Sequence, residues 1–141
     1  MLLAPTMASP WDPWDALATD YPHVCVRYTP HLPAHMLGAT DGSTIWLATD
    51  QTSSERRCTL AHELIHIELG HYNCQPAHVE QAVEAEAARR LVPLGRLQAA
   101  LAWTACETEA AEALDVDVAT LRTRVAGLTE AERAQIDQSA A

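Results

Sequence analysis

The chain has 141 residues and a mass of 15.4 kDa, enough for one compact domain with its own core and too short for two. With 48% hydrophobic and 20% charged residues it reads as globular rather than disordered. Nine arginines and no lysine stand against nineteen acids; the resulting charge of −10 disfavours a phosphate-backbone ligand. No apolar run approaches the ~20 residues of a membrane span.

Residues 1–20 are rich in Pro, Asp and Trp and predict an extended arm, leading into a short helix near Asp15–Thr19. Met1 to Pro5 lacks the basic and apolar regions of a signal peptide, so a cytoplasmic location is expected. In that reducing setting Cys25, Cys58, Cys74 and Cys106, which form no Cys-x-x-Cys pair, read as small buried hydrophobes. Alternation over residues 23–29 predicts a strand with Val24, Val26 and Tyr28 on one face. Pro30 and Pro33 end it. A second extended stretch, residues 37–49, is broken by a turn at Asp41-Gly42. Its better strand is 43–49, with Ile45 and Leu47 opposite Trp46 and Ala48. These strands predict a short antiparallel N-terminal sheet.

From Thr52 the period becomes helical. Ser53, Ser54 and Glu55 offer capping groups, Leu60, Leu64 and Ile67 recur at spacings of four and three, and Gly70 is a helix stop. Further helices are expected at about 78–91, ended by Val92-Pro93, then at 94–104, 107–114 and 118–128. A polar, frayed tail follows from Thr129. The whole reads as one α+β domain at 21–128, between the arm and the tail at 129–141.

Within the first long helix stands His62-Glu63-Leu64-Ile65-His66, a pattern expected by chance about 0.03 times in this composition. Residues i and i+4 share a helix face, so both imidazoles can reach one metal ion. Zinc suits two imidazoles and a carboxylate, with one position left for water. Glu63, beside the first imidazole, is placed to act as general base and then general acid. The longer His-Glu-x-x-His-x-x-Gly-x-x-His form fails, because Leu69 and Tyr72 occupy its Gly and His positions. The third ligand is sought on the next helix, where Glu80 and Glu84 share a face and Glu86 does not. A helix antiparallel to the motif helix could place Glu80 on the metal. Glu84 is an alternative ligand or a support for a ligand imidazole. Glu86 reads as a solvated acid. His71, Tyr72 and Arg57 are candidate partners for substrate or an oxyanion, and strand 43–49 is the candidate sheet edge for a peptide.

The run Arg56-Arg57-Cys58-Thr59-Leu60-Ala61-His62-Glu63-Leu64-Ile65-His66-Ile67-Glu68-Leu69-Gly70-His71 resembles the motif of the ImmA/IrrE family of metallopeptidases. Glu80 to Pro93 resembles that family's second block, with Val83, Glu84 and Glu86 departing from its usual residues. The resemblance implies a zincin-like fold, a zinc cofactor and a third ligand at Glu80, with Glu84 still open. It also implies a protein substrate such as a phage or mobile-element repressor. A second reading comes from Ala110 to Arg124, whose order of short helix, turn and helix looks like a helix-turn-helix. The surrounding acids make direct nucleic-acid binding an unfavoured expectation, and packing beneath the metal site the preferred one. A zinc-containing module that binds a partner without cutting it is the remaining alternative; Glu63 argues against it, since a purely structural site needs no general base.

Overall fold

The structure, a computed structural model, describes residues 11–140. The elements run α1 (Pro13–Asp20), β1 (Cys25–Thr29), β2 (Gly38–Thr40), β3 (Thr44–Ala48) and α2 (Ser53–Glu68). They continue with α3 (Ala77–Leu91), α4 (Leu94–Trp103), α5 (Glu107–Leu114), α6 (Val118–Ala126) and α7 (Glu130–Ala140). This is an α+β fold, a three-stranded sheet followed by helices.

Residues 1–10 of the expected arm lie outside the described residues. The short helix expected near Asp15–Thr19 is present as α1 but begins earlier, at Pro13, inside the stretch expected to be extended. Proline suits the first helical position, where its missing N–H costs nothing, and Asp12 caps it by accepting the Trp14 N–H at 2.9 Å. The tail expected to fray forms α7 instead. Its start is closed by Thr129 and Glu132, each accepting the other's backbone N–H, and Ile136 packs on the helical core.

The sheet order is β1-β3-β2. β2 pairs with β3 antiparallel, as expected, but β1 pairs with β3 in parallel, so the sheet is mixed. The cause is the connection from Thr29 to Leu37: it skips a strand position, and β3 fills the gap. Strand 43–49 is therefore central and not the edge proposed for a peptide. The strand on the α2 side that is left with an open edge is β2.

α2 lies between two cores. Leu60, Leu64 and Ile67 pack with Ile45 and Leu47 of β3 and with Val24. Cys58, Ala61 and Ile65 pack with Val83, Ala87 and Leu91 of α3 and with residues of α4 to α6. Trp11 touches both cores and lies beneath the Arg90 guanidinium, 5.5 Å from its ring centre. Only Cys58 of the four cysteines is buried. Cys25 points outward from β1, Cys74 lies in the α2–α3 linker, and Cys106 precedes α5, so these three are exposed thiols, not core residues.

Candidate metal centre

The side of α2 that faces neither core carries Thr59, His62, Glu63 and His66. Helix α2 begins with a reciprocal cap, in which Thr52 Oγ1 accepts the Glu55 N–H and Glu55 accepts the Thr52 N–H. It ends in a Schellman turn: Gly70, at φ 76°, donates its N–H to Ile67 O, and the His71 N–H reaches His66 O at 2.8 Å. That turn carries the chain back so that the His71 ring meets the His66 ring, their Nδ1 atoms 3.2 Å apart.

Glu80, in the first turn of α3, comes to the other side of the His62–His66 pair. His66 Nε2 lies 2.8 Å from Glu80 Oε1, His62 Nε2 lies 3.2 Å from Oε2, and the two Nε2 atoms are 3.1 Å apart. One donor atom from each of the three residues falls within 4.8 Å of the others. A tetrahedral zinc with bonds near 2.0 Å needs its ligands about 3.3 Å apart, so both the spacing and the donor set suit that ion. Were Nε2 of His66 to hold a metal ion, the ring proton would sit on Nδ1, within hydrogen-bonding distance of His71 Nδ1, a contact that would orient the ring. His71 is thus engaged behind a candidate ligand.

Glu63 is 6% exposed, and the described residues give its carboxylate no hydrogen-bonding or ion-pair partner. Burial, with a smaller contribution from the Glu80 charge, pushes its carboxyl up to about 8. A metal ion at the centre acts in the opposite sense. Burial, followed by the nearby His62, lowers the pKa of His66, which favours the neutral imidazole that a metal requires.

Gly38 of β2 sits directly against this carboxylate. A Cβ there would fall 2.5 Å from Thr59 Cγ2 and 3.3 Å from Glu63 Oε1, so only glycine lets the strand lie so close to α2. The cleft divides at this point. One cavity, of about 430 Å³, runs past His35, Met36 and Leu37 towards α6; the other, of about 260 Å³, runs past Ala39 and Thr40 towards His71 and Tyr72. Met36, Gly38, Glu63 and Glu80 border both. The Tyr72 ring borders the smaller cavity and lies against Gly42, where a Cβ would fall 2.6 Å from the ring and where the φ of 93° strains any side chain. Glu84 is exposed and outside the His62–His66–Glu80 group, though it lines the larger cavity.

Several residues go elsewhere. Arg57 is turned from the cleft to the carbonyl of Asp115, at 2.8 Å. Glu86 accepts from Arg89 and Arg90, and Arg90 also grips Glu68 with two nitrogens at 2.7 and 2.9 Å, tying α3 to α2. These pairs hold the Glu86 carboxyl down at about 2. Sequence reasoning missed His35, Met36, Gly38 and the α6 residues that border the cleft, since nothing local marks them; the left-handed backbone of His35, at φ 70°, is visible only in the fold.

The family model described as the IrrE N-terminal-like domain, Peptidase_M78, matches residues 20–125. No curated protein and no solved structure gives a significant match.

Proposed function

The chain belongs to the Peptidase_M78 family of IrrE N-terminal-like domains, and from that footing we propose that it is a zinc-dependent metalloendopeptidase acting on a protein substrate. The observation that carries this reading is the meeting of His62, His66 and Glu80 around one point, with the buried, unpartnered Glu63 beside it. Bound there, zinc would supply Lewis acidity to the scissile carbonyl and to the attacking water. Glu63 takes a proton from that water at a carboxylate oxygen and delivers it to the leaving amine. His71 holds the His66 ring in place. The open edge of β2 offers backbone groups to an extended peptide. Leu37 O accepts from Ala48 N–H inside the sheet, so by strand alternation the N–H and C=O of Gly38 face the open side.

The family likeness suggests a phage or mobile-element repressor in the cytoplasm as the substrate. Direct DNA binding by α5 and α6 has less support. Arg124 is buried and donates to Val92 O, Arg122 pairs with Glu107, and Arg133 donates to Val125 O. Few cations are left to meet phosphates. Helix α6 packs on α3 and borders the cleft.

The test is metal analysis of the purified protein, followed by mass-spectrometric mapping of new termini in a proteome-derived peptide library. The expected result is about one zinc per chain and cleavage that falls by about 10²–10⁴-fold in Glu63→Gln, which keeps its zinc. Wild-type protein that binds no zinc, or a Glu63→Gln variant that cuts as well as wild type, overturns the reading.

A further inference from the structure

β2 runs from the larger cavity to the smaller: Leu37 borders the first, Gly38 both, and Ala39 and Thr40 the second. A peptide added antiparallel to its open edge therefore enters over the smaller cavity and leaves over the larger. In that orientation the residues that follow the scissile bond would lie over the larger cavity. Its far wall comes from α3 and α6 and carries Glu84 and Asp117, with Thr120 and Thr123 beside them. Met36 and Cys58 give it an apolar lining. No arginine borders it, and neither Glu84 nor Asp117 has an ion-pair partner among the described residues. The positive end of α6 is already met, since Asp117 accepts the Thr120 N–H at 2.7 Å. Among the described residues, His35 is the one further basic group that borders it besides the candidate ligand His62. Glu63, buried and without a hydrogen-bonding partner among the described residues, borders the same cavity.

We infer that the larger cavity is a subsite for a lysine or arginine side chain in the first or second position after the scissile bond. The aliphatic stem lies along Met36 and Cys58, and the charged end meets Glu84 and Asp117. This rests on the peptidase reading and names its substrate class: a segment with a basic residue just beyond the cut.

The test uses the zinc-loaded full chain and two peptide hydroxamates that anchor at the zinc and extend only in the C-terminal direction. They are identical except for lysine or glutamate in the first side-chain position. Calorimetry should show the lysine probe binding roughly fivefold more tightly or better, as expected for exposed charge pairs, and the ratio should shrink in 0.5 M salt. Glu84→Gln, an exposed position with no cap to lose, should lower the ratio; Asp117 is spared because it caps α6. Equal binding of the two probes, or tighter binding of the glutamate probe, overturns the subsite. A lysine preference in a protein that cuts no peptide in the library supports the subsite and sinks the peptidase reading alone.

Discussion

Helices α2 and α3 bring the candidate ligands to one centre under different constraints. On α2, Arg57 to Ala61 and Glu63 to Ile67 are all buried, and the helix is capped at its start and closed by a Schellman turn at its end. On α3 only Val83, Ala87, Ala88 and Leu91 are buried, and Pro76 offers no side-chain cap. Glu80 sits in that uncapped first turn, with its side chain 34% exposed. The imidazoles are thus fixed by packing on two sides. The carboxylate is fixed by one packed stripe, and by the Arg90–Glu68–Glu86 contacts at the opposite end of its helix. Precision at this centre comes from burial on one helix and from distant ties on the other.

The strongest way to break that comparison is to remove the ligands one helix at a time. His66→Ala should abolish zinc binding. Glu80→Ala should leave a weak two-imidazole site, its affinity lower by at least about 100-fold, since even outer-sphere losses cost about 10–100-fold. Competition with a chromophoric chelator measures both, and wild-type affinity in Glu80→Ala would remove α3 from the centre.

Arg90→Gln tests the tie itself. It should weaken zinc binding by up to about tenfold and lower stability by about 1 kcal/mol, the scale of a partly exposed ion-pair network. Unchanged zinc affinity would mean that the packed stripe alone positions Glu80. The same variant has a pH signature. Glu86 is held at about 2 and Glu68 is also lowered, both by Arg partners. Folded-state values below the unfolded ones give stability that is present above about pH 4.5 and is lost as pH falls towards 2. Urea unfolding of the wild type across that window should show the loss, and Arg90→Gln should flatten it.

The smallest effect is expected at the far end of α2. Thr52→Ala removes half of the capping box and should cost about 1 kcal/mol, read from the urea midpoint, while zinc affinity stays unchanged. A parallel fall in zinc affinity would show that α2 is less firmly set by its burial than its packing implies.

The same contrast separates what could be read from residues and what could not. α2 was legible because its signals are local: a cap at Thr52 to Glu55, two histidines one turn apart, and a glycine at the stop. Helix geometry alone marks Glu80 only as one of two carboxylates on a shared face, because the choice between it and Glu84 depends on how α3 lies against α2; the family resemblance is what favours Glu80. The strand order was not legible. Connection length cannot tell whether a later strand will insert between two earlier ones, so the residue pattern predicts an edge at β3 and an antiparallel sheet where the fold has a central strand and a mixed one. The wall of the larger cavity escaped for a similar reason, since Gly38 and Asp117 are far apart in sequence and meet across the cleft only in the folded chain.

The shortness of β2 has a consequence for self-association. An open sheet edge can recruit a second copy of the same protein, and a long flat one invites aggregation. This edge is three residues long, preceded by the left-handed His35 and ended by the Asp41-Gly42 turn. Two such edges would share too few hydrogen bonds to hold together. A peptide gains the same few bonds and adds the metal and the cavity walls, so the edge would favour a guest strand over its own kind.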